Sequence, residues 1–264
     1  MKDFSQITDV FFDLDHTIYD FEKNSELAFS KVFEEMDLKG TTYFMEKFKP
    51  INDFYWDKLA KNEITHDFLR VARLKDTFDA IDLKISNDKI IRIADDFINY
   101  LPNYNHVFEG AYETLDYLKT KYRLHIITNG PDKVQELKLK NSQLDQYFIS
   151  VTNSEISGVK KPHPAIFNYA LNVAEVQPAK SLMIGDNLDA DIFGALNVGM
   201  EVIWFNEFSE EKRTDFTTIN KLIELTEKTL EETNAKIDEL KDNTRKEKQL
   251  NELYLEKERL EKKI

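Results

Sequence analysis

Five short apolar runs constrain the fold of this chain more than any other feature. They are ITDVFF ending at Phe12, LHIIT ending at Thr128, FISV at 148–151, SLMI ending at Ile184 and EVIWF at 201–205. Their β-branched and aromatic content is typical of strands that are buried on both faces. Helix-like segments at 131–140, 163–174 and 188–197 separate the last four runs. The alternation predicts an α/β fold with a doubly wound parallel sheet, covered by helices on both faces.

The interval between the first two runs has a different pattern. Residues 19–107 contain helix-like stretches such as LAFSKVFEEM and HDFLRVARLKDTF, with no convincing strand. We expect a helical cap domain at 19–107, inserted into an α/β core that is made of residues 1–18 and 108–226. Residues 227–264 hold 11 acidic and 10 basic side chains, which predicts a charged helical extension. This extension could be a solvated helix or an arm that forms a homodimer.

Composition narrows the range of partners. The net charge of −13 disfavours binding to nucleic-acid polymers and anionic membranes. The absence of cysteine excludes disulfides, thiolate metal sites and a cysteine nucleophile. No apolar run approaches the about 20 residues that a membrane span needs. We therefore expect a cytoplasmic protein that acts on a small molecule.

Polar residues follow four of the predicted strands. In an open α/β sheet, ligands bind beyond the carboxyl ends of the strands. The first run leads into DLDHT, which contains Asp13 and Asp15, and the second into TNG at 128–130. SGVKKPHP follows the third run and contains Lys161, and GDNLDAD at 185–191 follows the fourth. Several carboxylates and a lysine should thus meet at one edge of the sheet.

The chemistry of such an edge points to phosphoryl transfer. Clustered carboxylates repel one another unless a cation compensates them. Oxygen ligands suit Mg²⁺, which also binds phosphate oxygens. A metal beside a lysine can stabilise a phosphoryl group, and a carboxylate can attack it to form an aspartyl-phosphate.

These four motifs, in this order and with a helical insertion after the first, resemble the haloacid dehalogenase (HAD) superfamily of aspartate-nucleophile phosphatases. The resemblance covers about residues 7–225. It implies a Rossmann-like core, an inserted helical cap and a phosphomonoester substrate. Each motif is weak alone, whereas their joint occurrence at strand ends is specific.

The resemblance also implies catalytic roles. Asp13 would attack phosphorus, and Asp15 would protonate the leaving oxygen and then deprotonate the hydrolytic water. Thr128 and Asn129 would hold the transferred group. Lys161 would neutralise Asp13 and the phosphate, whereas the lysine before it should be a surface residue.

The same resemblance implies a magnesium site. Its ligands would be the Asp13 carboxylate, the backbone carbonyl of Asp15 and the Asp186 carboxylate. Asp191 and Asn187 would support the metal shell, and the acid two positions before Asp191 is less suited to this role.

Two residues of DLDHT, Asp15 and His16, bear on the type of reaction and on the choice of the acid–base residue. True dehalogenases of the superfamily lack an acid at the position of Asp15, so its presence disfavours cleavage of carbon–halogen bonds. His16 has a pKa suited to acid–base chemistry, but Asp15 already fills that role.

Residues 107–119 and the run DLDHTIYDFEKNS look most like the pyrimidine 5'-nucleotidase branch, which is associated with non-canonical, house-cleaning substrates. Tyr19, Phe21, Asn24 and Arg70 are then candidates for substrate contacts. The cap aromatics could stack on a base, although core packing is the better explanation for most of them.

Three functions stay open at this point. The first is a magnesium-dependent 5'-nucleotidase that acts on pyrimidine mononucleotides. The second is a sugar phosphate or phosphoglycolate-type phosphatase, or a phosphomutase, on the same fold. The third is a non-catalytic regulator that binds phosphate and uses its C-terminal helix to recruit a partner.

Overall fold

The computed structural model describes residues 4–207, 210–226 and 247–262. Its centre is a sheet of six parallel strands in the order β3-β2-β1-β4-β5-β6. The strands are β1 Asp9–Phe12, β2 Arg123–Thr128, β3 Ser150–Asn153, β4 Ser181–Gly185, β5 Glu201–Phe205 and β6 Thr217–Ile219.

The five strands that the sequence predicts are therefore present, and the parallel sheet is confirmed. The sixth strand was not predicted. β6 is only three residues long and pairs with β5 at the edge of the sheet. Its Thr-Thr-Ile sequence is too short to give a periodic signal.

Each central strand supplies apolar side chains to both faces of the sheet. Val10 and Phe12 join the larger buried cluster, whereas Phe11 between them joins a separate one. This alternation follows from the two-residue period of a strand. Because both faces are covered, the strands read as continuous apolar runs.

Nine described helices precede residue 200, and a tenth lies near the C-terminus. They are α1 Phe21–Glu35, α2 Thr41–Ala60, α3 His66–Ala80, α4 Asn87–Tyr100, α5 Ala111–Leu118, α6 Asp132–Asn141, α7 Ser154–Ser157, α8 Pro164–Ala174, α9 Gly194–Leu196 and α10 Glu247–Glu261. A π-helical segment, Leu188–Phe193, leads directly into α9. The predicted helix at 163–174 is present as α8, with Pro164 as its first residue and the His163 side chain accepting a hydrogen bond from the Ala165 backbone.

Helices α1–α4 form the helical insertion, which separates β1 from α5 and β2 in the sequence. Side-chain oxygens start three of its helices, since Asp20, Thr65 and Ser86 accept hydrogen bonds from backbone N–H groups in the first turn. The division into core and cap at residues 19 and 107 stays a prediction.

Aromatic side chains fill the interior of the helical insertion. Phe29 stacks on Phe97 with ring centroids 4.1 Å apart, and Phe44 and Phe48 lie 4.9 Å from Phe29 in edge-to-face contact. Phe54, by contrast, is exposed. Most of the aromatic content of this region thus serves packing, in the offset and edge geometries that aromatic rings prefer.

Two chain segments connect the insertion to the sheet, and they are hydrogen-bonded to each other. The backbone N–H of Asp20 donates to the carbonyl of His106 (3.1 Å), and that of Phe108 donates to the carbonyl of Ile18 (3.0 Å). We call residues 16–20 and 104–108 the hinge pair. Their pairing fixes where the insertion leaves and rejoins the core.

Of the predicted C-terminal extension, α10 is helical as expected, while its residues 227–246 lie outside the described part of the chain. The side chain of Leu260 joins the larger buried cluster, and Glu256 forms an ion pair with Lys121. Among the described helices, none combines the length and the apolar character needed to cross a membrane.

Candidate active site

The carboxyl ends of β1, β2 and β4 meet at one edge of the sheet, here called the carboxyl edge. Phe12, the last residue of β1, pairs in register with Ile126 of β2 and Ile184 of β4. Asp13 follows Phe12 directly, and Thr128 and Asp186 lie two residues beyond Ile126 and Ile184. The parallel register thus brings all three residues to the same edge of the sheet, as expected for a ligand site in an α/β sheet.

Lys161 lies at the centre of this edge. Its Nζ donates to Oδ1 of Asp13 (2.5 Å), to Oδ1 of Asp191 (2.6 Å) and to the carbonyl oxygen of Ile127 (2.8 Å). Burial would lower the pKa of Lys161, but the two carboxylates outweigh it and raise this pKa above its usual value. The side chain is thus a fully buried ammonium ion whose three donors are all used.

Three carboxylates converge beside this lysine. Ligand atoms of Asp13, Asp186 and Asp191 lie within 4.8 Å of one another. Burial raises the pKa of Asp13 to about 7, against the opposing effect of Lys161. Burial and the charges of Asp191 and Asp13 also raise the pKa of Asp186 well above its usual range. The single positive charge of Lys161 does not balance the negative charges of three carboxylates.

A divalent cation fits these residues. The donors are all carboxylate oxygens, which Mg²⁺ prefers, and a divalent cation would offset the mutual repulsion of three carboxylates that share one lysine. Asp13 and Asp186 are the predicted metal ligands. Both oxygens of Asp191 are already engaged, one by Lys161 and the other by the backbone N–H of Asn187 (3.1 Å), so Asp191 fits the supporting position.

The chain after β4 is shaped to bring Asp191 back toward β1. A π-helical segment begins after Asn187, whose side chain accepts a hydrogen bond from the Ala190 backbone (2.8 Å). Gly185 is required here, since a Cβ at this position would lie 2.3 Å from Oδ2 of Asp191. Asn187 thus supports the site through its backbone N–H and as a helix cap.

Two further contacts hold Asp186. Thr17, the last residue of DLDHT, donates its hydroxyl to Oδ1 of Asp186 at 3.3 Å. Trp204 of β5 donates its indole N–H to the backbone carbonyl of Asp186 at 2.7 Å. The sequence did not indicate a role for Trp204, because nothing in the EVIWF run distinguishes this residue from an aromatic residue of the core.

Asp15 is held by helix α6, which the sequence did not indicate. Nζ of Lys138 lies 2.6 Å from its Oδ1, and Nε2 of Gln135 donates to its Oδ2 at 2.8 Å. Both α6 residues are buried. The only sequence signal was their spacing of three, which places them on one face of a helix that directly follows the TNG motif.

The TNG motif is tied into the same network. Gln135 also donates to the Thr128 hydroxyl (2.8 Å), and a Cβ on Gly130 would lie 2.4 Å from Nε2 of Gln135. The Asn129 side chain clamps Lys161 through two hydrogen bonds, accepting from its N–H (2.7 Å) and donating to its carbonyl (3.0 Å). Asn129 therefore positions the lysine loop.

Two of the residues predicted to contact the substrate, Tyr19 and Asn24, use their polar atoms for hydrogen bonds within the protein. The Tyr19 hydroxyl donates to the carbonyls of Leu101 (3.0 Å) and Tyr104 (2.6 Å), and the Asn24 amide is bonded to the backbone of His106. Both side chains are fully buried. They fix the hinge pair to the helical insertion, and in this structure their polar atoms are committed to that task.

The other two residues predicted to contact the substrate, Phe21 and Arg70, lie in different parts of the structure. The Phe21 ring lies beside Lys138 (5.3 Å from Nζ) and His16 (5.1 Å between centroids), so it borders the carboxyl edge. Arg70 lies on α3 and forms an ion pair with Asp95 of α4. The structure thus groups Phe21 with the catalytic candidates, while Arg70 belongs to the helical insertion.

The chain is similar in sequence to known proteins. The family described as "Haloacid dehalogenase-like hydrolase" matches residues 10–205. The chain is 32% identical to the glyceraldehyde 3-phosphate phosphatase of Pyrococcus furiosus, over 83% of this chain and 92% of that protein. It is 30% identical to the pyrimidine 5'-nucleotidase PynA of Streptococcus pneumoniae, over 77% of this chain and 85% of that protein.

A solved structure extends the similarity to the fold. The HAD-hydrolase YfnB of Bacillus subtilis, whose crystal structure is bound to magnesium, superposes with a TM-score of 0.76. It is 26% identical in sequence, and the match covers 84% of this chain and 97% of that one.

Proposed function

This chain belongs to the haloacid dehalogenase-like hydrolase family, and we propose that it is a magnesium-dependent phosphatase that acts on pyrimidine nucleoside 5'-monophosphates. The observation that supports the phosphatase assignment best is the buried Lys161, whose Nζ lies 2.5 Å from Asp13 and 2.6 Å from Asp191. A nucleophilic carboxylate beside a fixed ammonium group suits attack on an anionic phosphate ester.

In the first half of the reaction, a carboxylate oxygen of Asp13 attacks phosphorus. The bond between phosphorus and the ester oxygen breaks, and the leaving oxygen takes a proton from Asp15. Lys161 holds Oδ1 of Asp13, which orients the other oxygen for attack. Thr128 binds an oxygen of the transferred group through its hydroxyl.

In the second half, water attacks the phosphorus of the aspartyl-phosphate. Asp15 accepts the proton from this water, the acyl phosphate bond breaks, and Asp13 and inorganic phosphate are released. The same carboxyl group thus acts first as acid and then as base. Asp13, Asp186 and the Asp15 backbone carbonyl would hold Mg²⁺, which supplies positive charge for the phosphate oxygens.

The substrate assignment rests on the resemblance to the nucleotidase branch and on the relationship to the pyrimidine nucleotidase of Streptococcus pneumoniae. A second candidate is a three-carbon sugar phosphate, since the archaeal glyceraldehyde 3-phosphate phosphatase is similar over 83% of the chain. The catalytic residues are the same for both substrates, so the helical insertion must distinguish them.

Phosphate release from a substrate panel tests the proposal. The panel contains dUMP, dTMP, UMP, purine mononucleotides, phosphoglycolate and glyceraldehyde 3-phosphate, each with Mg²⁺ or with EDTA. We expect release that requires Mg²⁺, is fastest for pyrimidine nucleotides, and is lost in Asp13→Asn. Asp116→Asn, which changes a half-exposed acid on α5, is the matched control and should retain full activity.

The alternatives give different results. Preference for glyceraldehyde 3-phosphate or phosphoglycolate, with loss in Asp13→Asn, would keep the mechanism and reject the pyrimidine substrate. A folded protein that releases no phosphate from any ester would reject the phosphatase proposal and favour a phosphate-binding regulator.

A further inference from the structure

Arg73 is a buried cation in helix α3 for which the described residues provide no anionic partner. The residue is only 5% exposed. Its Nη1 donates to the Asn52 side-chain oxygen at 2.7 Å, and its Cζ lies 5.5 Å from the ring centroids of both Phe48 and Phe97. Nε is buried and has no hydrogen-bond partner among the described residues.

This arrangement is unfavourable for the protein alone. Burial and the charge of Arg70 lower the pKa of Arg73 to about 10, so the guanidinium keeps its charge at neutral pH. A buried charge without a counter-ion and a buried donor without an acceptor both destabilise a folded protein. An unsatisfied group of this kind calls for a specific explanation.

Two neighbours of Arg73 also have a buried nitrogen without a hydrogen-bond partner among the described residues. His66, Arg70 and Arg73 are spaced i, i+4 and i+7 on α3, and therefore share one helix face. Nε2 of His66 and Nε of Arg70 are also buried without a hydrogen-bond partner among the described residues. Three nitrogen-bearing side chains on one face thus each retain an unused nitrogen.

This face is linked to the carboxyl edge at two points. Lys160, which precedes Lys161, donates to the side chain of Asn62 at 3.1 Å, in the loop that leads to α3. The pKa of His66 is lowered by burial, and the positive charges of Lys160 and Arg73 lower it further. The start of α3, where His66 lies, is therefore next to the lysine loop.

The second link runs through helix α2. Asn52, which orients Arg73, precedes Asp53. Burial raises the pKa of Asp53, and the nearby charge of His16 opposes this shift. His16 follows Asp15 directly. Asn52, which accepts the hydrogen bond from Arg73, is thus adjacent in sequence to an acid whose pKa responds to a residue of the catalytic loop.

We propose that Arg73, oriented by Asn52 and flanked by His66 on the same face, is the subsite that binds acceptor oxygens of the leaving group. The inference rests on the proposed phosphatase function and names the part of the substrate that the helical insertion recognises. Guanidinium nitrogens only donate hydrogen bonds. The matching groups are the carbonyl oxygens of a pyrimidine base or the carboxylate of a short acid.

Kinetics on three esters test this subsite in the full-length protein with Mg²⁺. The leaving group of dUMP carries base carbonyls, that of phosphoglycolate carries a carboxylate, and that of phenyl phosphate carries no further oxygen. In Arg73→Met we expect KM to rise at least tenfold for dUMP or phosphoglycolate. For phenyl phosphate, kcat/KM should stay within twofold of the unmodified protein.

Two variants control for folding and charge. Arg92→Met removes an exposed guanidinium of α4 that pairs with Asp96, and it should leave all three esters unchanged. Arg73→Lys keeps the charge but not the planar fork, and it should restore part of the affinity. An equal loss for all three esters, or no change for any of them, would overturn the subsite.

Failure of the subsite and failure of the enzyme give separate results. If phenyl phosphate is hydrolysed but Arg73→Met does not discriminate among esters, the phosphatase proposal stands and the subsite falls. If no ester is hydrolysed, binding decides whether the subsite exists. Calorimetry then measures the affinity of deoxyuridine and glycolate for the unmodified protein and for the Arg73→Met and Arg73→Lys variants. Equal binding to all the folded proteins, or no binding to any, would reject the subsite.

Discussion

Two side chains of α6 contact the carboxylate of Asp15, and these contacts fix the position of the group that is proposed to transfer protons. Lys138 Nζ is 2.6 Å from one oxygen and Gln135 Nε2 is 2.8 Å from the other. The Lys138 ammonium also lies 4.9 Å from the Tyr19 ring centroid and 5.3 Å from that of Phe21. A cation held by two rings and a carboxylate has little freedom to move, so Lys138 is a positioning residue for Asp15.

Replacing Lys138 should therefore slow catalysis without weakening substrate binding. For Lys138→Met we expect kcat to fall by about tenfold or more, since a positioned acid or base contributes about 10²–10⁴-fold, with KM nearly unchanged. Steady-state kinetics on the best substrate measure both quantities. Lys140→Met, an exposed lysine on the same helix, should behave like the unmodified protein.

A double-mutant cycle separates positioning from a merely structural effect. In an Asp15→Asn background, Lys138→Met should cause no further loss of kcat, because its effect passes through Asp15. Additive losses in the two variants would contradict this role.

At the scale of elements, the amino ends of β1, β2 and β3 hold a second polar cluster, on the opposite edge of the sheet from the active site. His125 is fully buried, with Nε2 3.0 Å from Asp9 Oδ1 and Nδ1 2.8 Å from the Ser150 hydroxyl. Arg123 Nη2 lies 2.8 Å from the same Asp9 oxygen. Burial lowers the pKa of His125 below 6.5, and Arg123 lowers it further, although Asp9 opposes the shift. This cluster joins three adjacent strands through side chains.

The lowered pKa makes the free energy of unfolding depend on pH. Below pH 6.5 the unfolded chain protonates His125 while the folded chain does not, so the unfolded state binds more protons and stability falls as pH falls. The contribution is at most about 1.4 kcal/mol per pH unit between the two pKa values. Urea denaturation at pH 7.5, 6.5 and 5.5 should show this loss in the unmodified protein and a smaller one in His125→Gln.

His163→Gln provides the control, since His163 is exposed at the start of α8. Its pH profile should match that of the unmodified protein. If His125→Gln shows the same loss of stability on acidification as the unmodified protein, His125 is not the group that titrates.

At the scale of the whole molecule, helix α10 packs on the core far from the catalytic residues. Leu260 is 2% exposed within the larger buried cluster, and Glu256 pairs with Lys121. Lys121 lies two residues before β2 begins, which places this contact toward the amino edge of the sheet. The extension therefore contributes to stability at the edge opposite Asp13.

Shortening Leu260 should lower stability and leave catalysis intact. We expect Leu260→Ala to reduce the free energy of unfolding by about 2 kcal/mol, at the low end for a buried leucine because the helix can detach. Chemical denaturation and kcat/KM are the two readouts. Leu255→Ala, which changes a leucine that is 68% exposed, should alter neither. An unchanged unfolding curve for Leu260→Ala would show that α10 does not stabilise the core.

The sequence by itself determined five of the six strands of the sheet and the main catalytic candidates. Buried parallel strands give continuous apolar runs, and the residues that follow them must meet at the carboxyl edge. Asp13, Thr128 and Asp186 could therefore be placed together before any coordinates were known, and Lys161 was implied by the resemblance.

Only the tertiary structure decided which helix faces meet this edge. Gln135 and Lys138 contact Asp15 across 120 and 123 residues of sequence, and no local pattern specifies such a contact. The same holds for Tyr19 and Asn24, whose polar atoms are used by the hinge pair. It also holds for Arg73, which has no anionic partner among the described residues once the surrounding helices are packed. Periodicity fixes which side of an element is buried, whereas the partner it is buried against depends on how distant elements pack.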